Sequence, residues 1–202
     1  MGVRHHARHE KLSCAFITNT SPELIEQLWQ VEVSAHVNPW EPDTLAYFFT
    51  QPTMKCIGLY LKQELIGFAI ISVVCDEAEL YTIGIMKKYQ GLGFGHKLLL
   101  KTLQLCREAK AERCFLEVRV SNAVALYLYD YYGFTITGTR KKYYEATSRS
   151  PAEDAYTMMC ELAQVPNDDP FPELHLSEPA LADAAHSDVP APDAAVLDTS
   201  TT

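Results

Sequence analysis

The stretch Gln90-Gly91-Leu92-Gly93-Phe94-Gly95 puts three glycines into five residues between two segments of regular pattern. Ahead of it, Ala78-Glu79-Leu80-Tyr81-Thr82-Ile83-Gly84-Ile85 alternates Leu80, Thr82 and branched apolar residues as a strand does. Behind it, Leu99, Leu103 and Cys106 recur at helical spacing within 96–106. A strand that turns through glycine into a helix is a structure that binds anions. Free N–H groups at a helix N-terminus point at the ligand, and the helix dipole adds partial positive charge there. Glycine is needed because a Cβ would hold a phosphate away from the backbone.

Two phosphate-binding motifs are excluded by the residues themselves. A Walker loop requires Gly-Lys-Ser/Thr, and here Gly95 is followed by His96. The dinucleotide fingerprint requires G-x-G-x-x-G with an acidic residue about twenty positions on, whereas this spacing is G-x-G-x-G without one. The remaining pattern, Q-x-x-G-x-G, resembles the coenzyme A pyrophosphate loop of the GNAT acetyltransferase superfamily. An ordinary Gly-rich connection is the competing reading of the loop taken alone.

Charge divides the chain. From Pro166 to Thr202 there are six of the eleven prolines, eight acidic residues and no Lys or Arg. Such a composition buries too little apolar surface to offset the entropy of ordering, so 166–202 is expected to be a disordered acidic Pro/Ala-rich tail. Its acidic residues recur every five positions from Asp168 to Asp198, a period that fits neither a helix nor a strand face. Residues 1–165 carry 17 basic and 18 acidic side chains, so the net −9 of the whole chain belongs mostly to the tail. The expected organisation is a flexible N-terminus over 1–12, one domain over 13–165 and the tail. No apolar run approaches the ~18 residues of a membrane span, and the basic first ten residues lack a following apolar core. Six cysteines show no C-x-x-C spacing, and four lie in apolar stretches where reduced, buried thiols are expected. These features point to a cytoplasmic protein with no metal site and no membrane contact.

Periodicity and turn residues give an element order. Cys14–Thr18 reads as a strand, Ser21-Pro22 as a helix start with Leu24, Leu28 and Val31 on one face, and Asp43 as the cap of a short helix. Strands over 54–61, 66–74 and 78–86 precede the glycine loop and its helix. A strand over 114–120, a helix over 122–132 and strands starting at Gly133 and Asp154 follow. The order β-α-α-β-β-β-α-β-α-β-β predicts an α+β fold with one central mixed sheet flanked by helices.

Several separated blocks agree with one family. Leu116-Glu117-Val118-Arg119-Val120-Ser121-Asn122, Ala125-Leu126-Tyr127-Leu128-Tyr129-Asp130-Tyr131-Tyr132-Gly133-Phe134, Asp76-Glu77-Ala78, Lys142-Tyr143-Tyr144 and Glu153-Asp154-Ala155 stand in the same order in it. Over 14–162 the chain resembles the bacterial ribosomal-protein alanine N-acetyltransferases, the RimI type of GNAT enzyme. The resemblance implies a GNAT fold, acetyl-CoA as cosubstrate and a protein N-terminus as acceptor, the favoured one being the terminal alanine of ribosomal small-subunit protein eighteen. It implies coenzyme contacts from Ile83, Gly84 and Ile85, from the loop Gly91, Leu92, Gly93, Phe94, Gly95 and His96, and from Asn122. As the first residue of a helix, Asn122 could equally serve only as its cap.

The same resemblance makes Glu117 the proton acceptor and Tyr129 the donor to the departing thiolate. Phe115, Leu116 and Val118 around Glu117 suggest an apolar setting, which raises a carboxylate's affinity for protons. Asn122, Leu126 and Tyr129 share a helix face at i, i+4 and i+7, while Tyr127, Tyr131 and Tyr132 read as packing residues. Trp40, Tyr143 and Tyr144 match segments that border the acceptor peptide, or serve as core plugs. His36 and His96 fall on no catalytic position of the family. Direct attack in a ternary complex is expected, with no nucleic acid bound. A broader Nα- or lysine acetyltransferase and a non-catalytic acetyl-CoA-binding protein are the alternatives.

Overall fold

The computed structural model describes residues 12–18 and 20–169. Helix α1 (Pro22–Ala35) starts where the sequence indicates. The Ser21 hydroxyl accepts from the Leu24 N–H at 3.3 Å, and Pro22 occupies the first position, whose missing donor no helix would use. Its inward residues are Ile25, Leu28, Val31 and Glu32; Leu24, expected inside, stands one position off that stripe. Helix α2 (Pro42–Phe48) corrects a second detail. Glu41 is its N-cap and Pro42 its first residue, which places the expected cap Asp43 inside the first turn.

Among the described residues, seven strands form one sheet in the order β1-β2-β3-β4-β5-β7-β6. They are β1 (Leu12–Ile17), β2 (Met54–Leu61), β3 (Glu64–Val74), β4 (Glu77–Ile85), β5 (Arg113–Arg119), β6 (Thr135–Tyr144) and β7 (Glu153–Glu161). Every pairing is antiparallel except β4 with β5, which are joined by α3 (Phe94–Glu108). A parallel neighbour needs a long crossover, and the glycine loop with its helix is that crossover. Helix α4 (Ala123–Tyr131) joins β5 to β6.

The helices cover the two faces of the sheet and make two cores. On one face Phe94, Leu98, Leu99 and Leu103 of α3 and Tyr129 of α4 pack with Leu80, Leu116 and Val118. On the other, Leu28 and Val31 of α1 and Leu45 of α2 pack with Phe68 and Ile70 of β3. Strand β3 is therefore apolar on both faces, and Leu65–Ile71 reads as an unbroken buried run. Cys56, Cys106, Cys114 and Cys160 are buried free thiols, as the apolar context suggested.

Two irregularities shape the centre of the sheet. Parallel pairing of β4 with β5 covers only Glu77–Leu80 against Arg113–Leu116. Between Ile70↔Thr82 and Ile71↔Leu80 the β3–β4 register shifts, leaving Tyr81 as an extra residue in β4. From Tyr81 onward β4 keeps β3 and leaves β5, which opens a gap in the sheet.

Beyond Val165 the chain stays on α3. Arg107 donates to Val165 O at 3.0 Å and to Asn167 Oδ1 at 2.7 Å, Gln104 Nε2 donates to Asn167 O at 2.8 Å, and Lys97 pairs with Asp169. The first four residues of the expected tail are thus held by three side chains of one helix. The rest of that tail, 170–202, and the N-terminal 1–11 lie outside the described residues.

Candidate active site

The glycine loop presents backbone. Gly93 is the N-cap of α3 at φ +80°, a left-handed conformation that a Cβ would strain, and having no side chain it makes no side-chain cap of its own. Gln90 Nε2 donates to Ile85 O at 2.8 Å and ties the loop to the end of β4. The Phe94 side chain is 1% exposed, so that residue has only its main chain to offer a ligand. A Cβ on Gly95 would meet Leu128 Cδ2 at 3.5 Å and nothing closer. The His96 ring lies edge-on to Tyr131, and its carbonyl accepts from the Tyr132 hydroxyl at 3.2 Å.

Beside this loop, Ile83, Gly84 and Ile85 border the gap. Gly84 has a structural reason to be glycine. A Cβ there would stand 2.9 Å from Ala35 Cβ and 3.1 Å from His36 Nε2, so α1 can approach β4 only over a bare backbone. Asn122 caps α4, its Oδ1 accepting from Ala125 N at 3.1 Å. The cap is formed, and it engages the oxygen of the amide rather than the nitrogen.

Glu117 and Tyr129 approach the gap from opposite faces of the sheet. Side chains alternate along β5, and Cys114, Leu116 and Val118 face α3. Glu117 therefore points the other way. Of the three residues expected to make its setting apolar, Leu116 and Val118 are therefore across the sheet and only Phe115 shares its face. Its side chain is 20% exposed, and Arg140 Nη1 donates to Oε1 at 2.9 Å. Tyr129 is buried on the α3 face against Phe134. Burial, then the neighbouring Tyr144 and Cys114, hold its phenol well above the ordinary tyrosine range, so the hydroxyl keeps its proton at any working pH.

Aromatic residues rim the Glu117 side. Trp40 stacks on Phe48 at 4.8 Å, and Phe48 meets Tyr81 at 5.8 Å. Tyr143 and Tyr144 are in edge contact, Arg140 lies over Tyr143 and Arg119 over Tyr144. The Tyr144 hydroxyl donates to Glu117 O at 3.5 Å. Lys142, at φ +50°, sits in the register shift between Arg140 and Tyr144 that turns these side chains toward Glu117. Across the rim, Asn38 in the α1–α2 turn donates to Thr147 Oγ1 at 2.9 Å and accepts from Ser150 Oγ at 2.9 Å and from Arg119 Nη2 at 2.8 Å. The turn is thereby tied to the β6–β7 connection. Of the packing tyrosines, only Tyr132 is buried; Tyr127 and Tyr131 face outward, because α4 gives one face to the sheet.

Four residues of the site escape a reading by motif. Arg140 sits in a basic run that looks like a solvated edge, Tyr81 is placed by the β4 irregularity, and Glu32 and His36 are carried in by α1. His36 Nε2 lies 3.3 Å from Thr82 Oγ1, and burial, then the charge of Arg119, push its pKa down to about 4. Only the apolar stripe of α1, which includes position 32, could have marked Glu32 as inward. Among the described residues no three His, Cys, Asp or Glu side chains are grouped to hold a metal ion, and no helix is long and apolar enough to cross a membrane.

Comparison with known proteins agrees with this architecture. The acetyltransferase (GNAT) family model matches residues 25–134. The ribosomal protein bS18-alanine N-acetyltransferase of Haemophilus influenzae is 39% identical over 137 residues, covering 68% of this chain and 92% of that protein. The crystal structure of the ribosomal-protein-S18-alanine N-acetyltransferase from Escherichia coli superposes with a TM-score of 0.68 at 28% identity, over 78% of this chain and 98% of that one. A GNAT family acetyltransferase from Elizabethkingia anophelis with acetyl-CoA bound shares the fold, with a TM-score of 0.61 at 18% identity over 74% of this chain and 97% of its own.

Proposed function

Because the chain belongs to the GNAT acetyltransferase family, we propose that it moves the acetyl group of acetyl-CoA onto the N-terminal α-amine of a protein. The favoured acceptor is the terminal alanine of ribosomal protein bS18, the substrate in the names of the relatives above. The observation that carries this reading is the placement of Glu117 and Tyr129 on opposite faces of one gap in the sheet. A coenzyme held by the α3 N-terminus lies on the Tyr129 face, and an amine coming from the aromatic rim lies on the Glu117 face. The two meet where β4 and β5 part.

The chain's residues divide the work accordingly. The first turn of α3 and the backbone at Gly93 and Gly95 receive the pyrophosphate, since N–H donors and helix dipole favour negative charge there. The backbone of 83–85 and the Asn122 amide nitrogen complete the coenzyme's contacts. Glu117 takes the proton of the attacking amine, releasing Arg140 to the rim as the ammonium arrives. Tyr129, kept neutral by burial, donates its proton to the departing thiolate. Attack is direct, within one ternary complex. Burial raises the thiols of Cys56 and Cys160 to about 12, so they are poor nucleophiles at neutral pH as well as part of the core.

An α-amine suits this site better than a lysine. With pKa about 7.7–8.0 against about 10.4, roughly a hundredfold more of it is nucleophilic at neutral pH. The Asn38–Ser150 tie also closes one side of the rim, which favours a chain end over an internal loop. Mass spectrometry of a peptide carrying both an N-terminal alanine and an internal lysine tests the proposal. Acetylation confined to the terminus is expected; predominant lysine modification would overturn it.

A further inference from the structure

Glu32 is the one acidic side chain that is fully buried among the described residues, at 2% exposure. A carboxyl without water is costly unless its oxygens are satisfied, and only one of them is. Oε1 accepts from the Trp40 N–H at 3.3 Å. Oε2 has no hydrogen-bond partner among the described residues and faces His36 Nε2 at 3.7 Å. His36 Nε2 lies at 3.3 Å from Thr82 Oγ1, and its ring rests on Gly84. Of the two halves of the acceptor wall, the carboxyl thus touches the turn that carries Trp40 and, through His36, bears on the β4 segment that borders the gap. No substrate can reach Oε2, which has less than 1 Å² of accessible surface, so any influence on the reaction passes through its neighbours.

We propose that Glu32 is a positioning residue for the acceptor: it fastens the Trp40 turn to α1 and, as the neutral acid, leaves His36 on Thr82, whereas on ionising it draws His36 away from Thr82 and loosens the β4 side of the acceptor wall. The inference rests on the acetyltransferase reading of the site. Its physical basis is a competition between two acceptors for one imidazole N–H. Against a neutral carboxyl, the nearer Thr82 hydroxyl keeps His36. A carboxylate is a far stronger acceptor and takes it.

The groups around the pair fit this exchange. Burial pushes Glu32 up to about 7, the Trp40 N–H opposing, while His36 is held down to about 4 and stays neutral throughout. From the turn comes the Trp40 amide, from β4 the Thr82 hydroxyl and from β5 Arg119, whose charge reaches His36. The amide and the hydroxyl do not titrate in this range, and a guanidinium keeps its charge. The proton that changes hands near neutrality is therefore that of Glu32.

Steady-state kinetics of the full chain and of Glu32→Gln, from about pH 6 to 8.5 with one acceptor peptide, test the proposal. Glutamine keeps an oxygen for Trp40 and cannot ionise. The acceptor KM of the wild type, divided by that of E32Q, should rise roughly two- to tenfold across pH 7, the worth of about one hydrogen bond. The KM for acetyl-CoA should not move. The ratio cancels the titration of the peptide's own amine. Parallel pH profiles, or equal changes in both KM values, would overturn the proposal. The ring-nitrogen resonance of His36, read by 15N NMR without any acceptor, should shift near pH 7 in the wild type and stay flat in E32Q. A shift in both variants or in neither refutes the exchange, whatever the acceptor is. Absence of N-terminal acetylation by the wild type, by contrast, counts against the function proposed above and leaves the NMR result to decide the role of Glu32.

Discussion

Replacing Glu32 by glutamine should make the protein more stable, and only at high pH. Burial raises the folded-state pKa of Glu32 from 4.5 to about 7. In the unfolded chain the same carboxyl ionises near the ordinary glutamate value. Between the two, the unfolded state has released a proton that the folded state still holds, so raising the pH favours unfolding. Stability from this group is complete below about 4.5 and is lost as pH rises through about 7. A difference of about 2.5 in pKa, at about 1.36 kcal/mol each, amounts to roughly 3 kcal/mol. Because Glu32 is 2% exposed, solvent screening removes little of it.

His36 acts in the opposite sense. Its pKa is lowered from 6.5 to about 4, so its contribution is present above 6.5 and fades as pH falls. E32Q retains His36, and a comparison of the two proteins isolates the carboxyl. Urea unfolding at about pH 5 and pH 8 should show E32Q gaining roughly 2–3 kcal/mol on the wild type between the two conditions. Curves that run parallel would refute the reasoning, because they would mean that Glu32 does not hold a proton in the folded state.

Three other outcomes follow from the site. Glu117→Gln should lower kcat by about 10²–10⁴ and leave acetyl-CoA affinity by calorimetry unchanged, and Tyr129→Phe should lower it by a similar factor; full turnover in either moves that proton step to another group. Gly95→Ala should stabilise α3 by about 0.5–1 kcal/mol, since the new methyl group meets only Leu128, yet weaken acetyl-CoA binding. Undiminished binding in that variant would remove the loop from the coenzyme site. A chain ending at Val165 should lose about 1 kcal/mol with the Arg107 and Gln104 hydrogen bonds to Asn167, whereas one ending at Asp169 keeps both. Equal melting temperatures for the two would mean that these contacts contribute nothing.

The sequence by itself determined what depends on local chemistry. The Ser21-Pro22 start of α1, the glycine turn between β4 and α3, the Asn122 cap and the order of the strands are each written in a few neighbouring residues, and each stands where those residues imply. The family was legible for a related reason. Blocks such as 116–122 and 125–134 hold a chemistry whose parts lie on adjoining elements. Where reading along the chain went astray, the deciding neighbour was distant in sequence. Glu117 has apolar residues on either side of it in the chain, but a pleated strand sends them to the other face and supplies Arg140 instead. Gly84 is bare because α1 lies on it, and residues 166–169 stay on the domain because Lys97, Gln104 and Arg107 of α3 line up to hold them. Glu32 shows the limit most plainly. Its place on the apolar stripe of α1 marks it as inward at most, and only the packing of α1 against β4 takes it out of water, where desolvation rather than sequence sets its proton affinity.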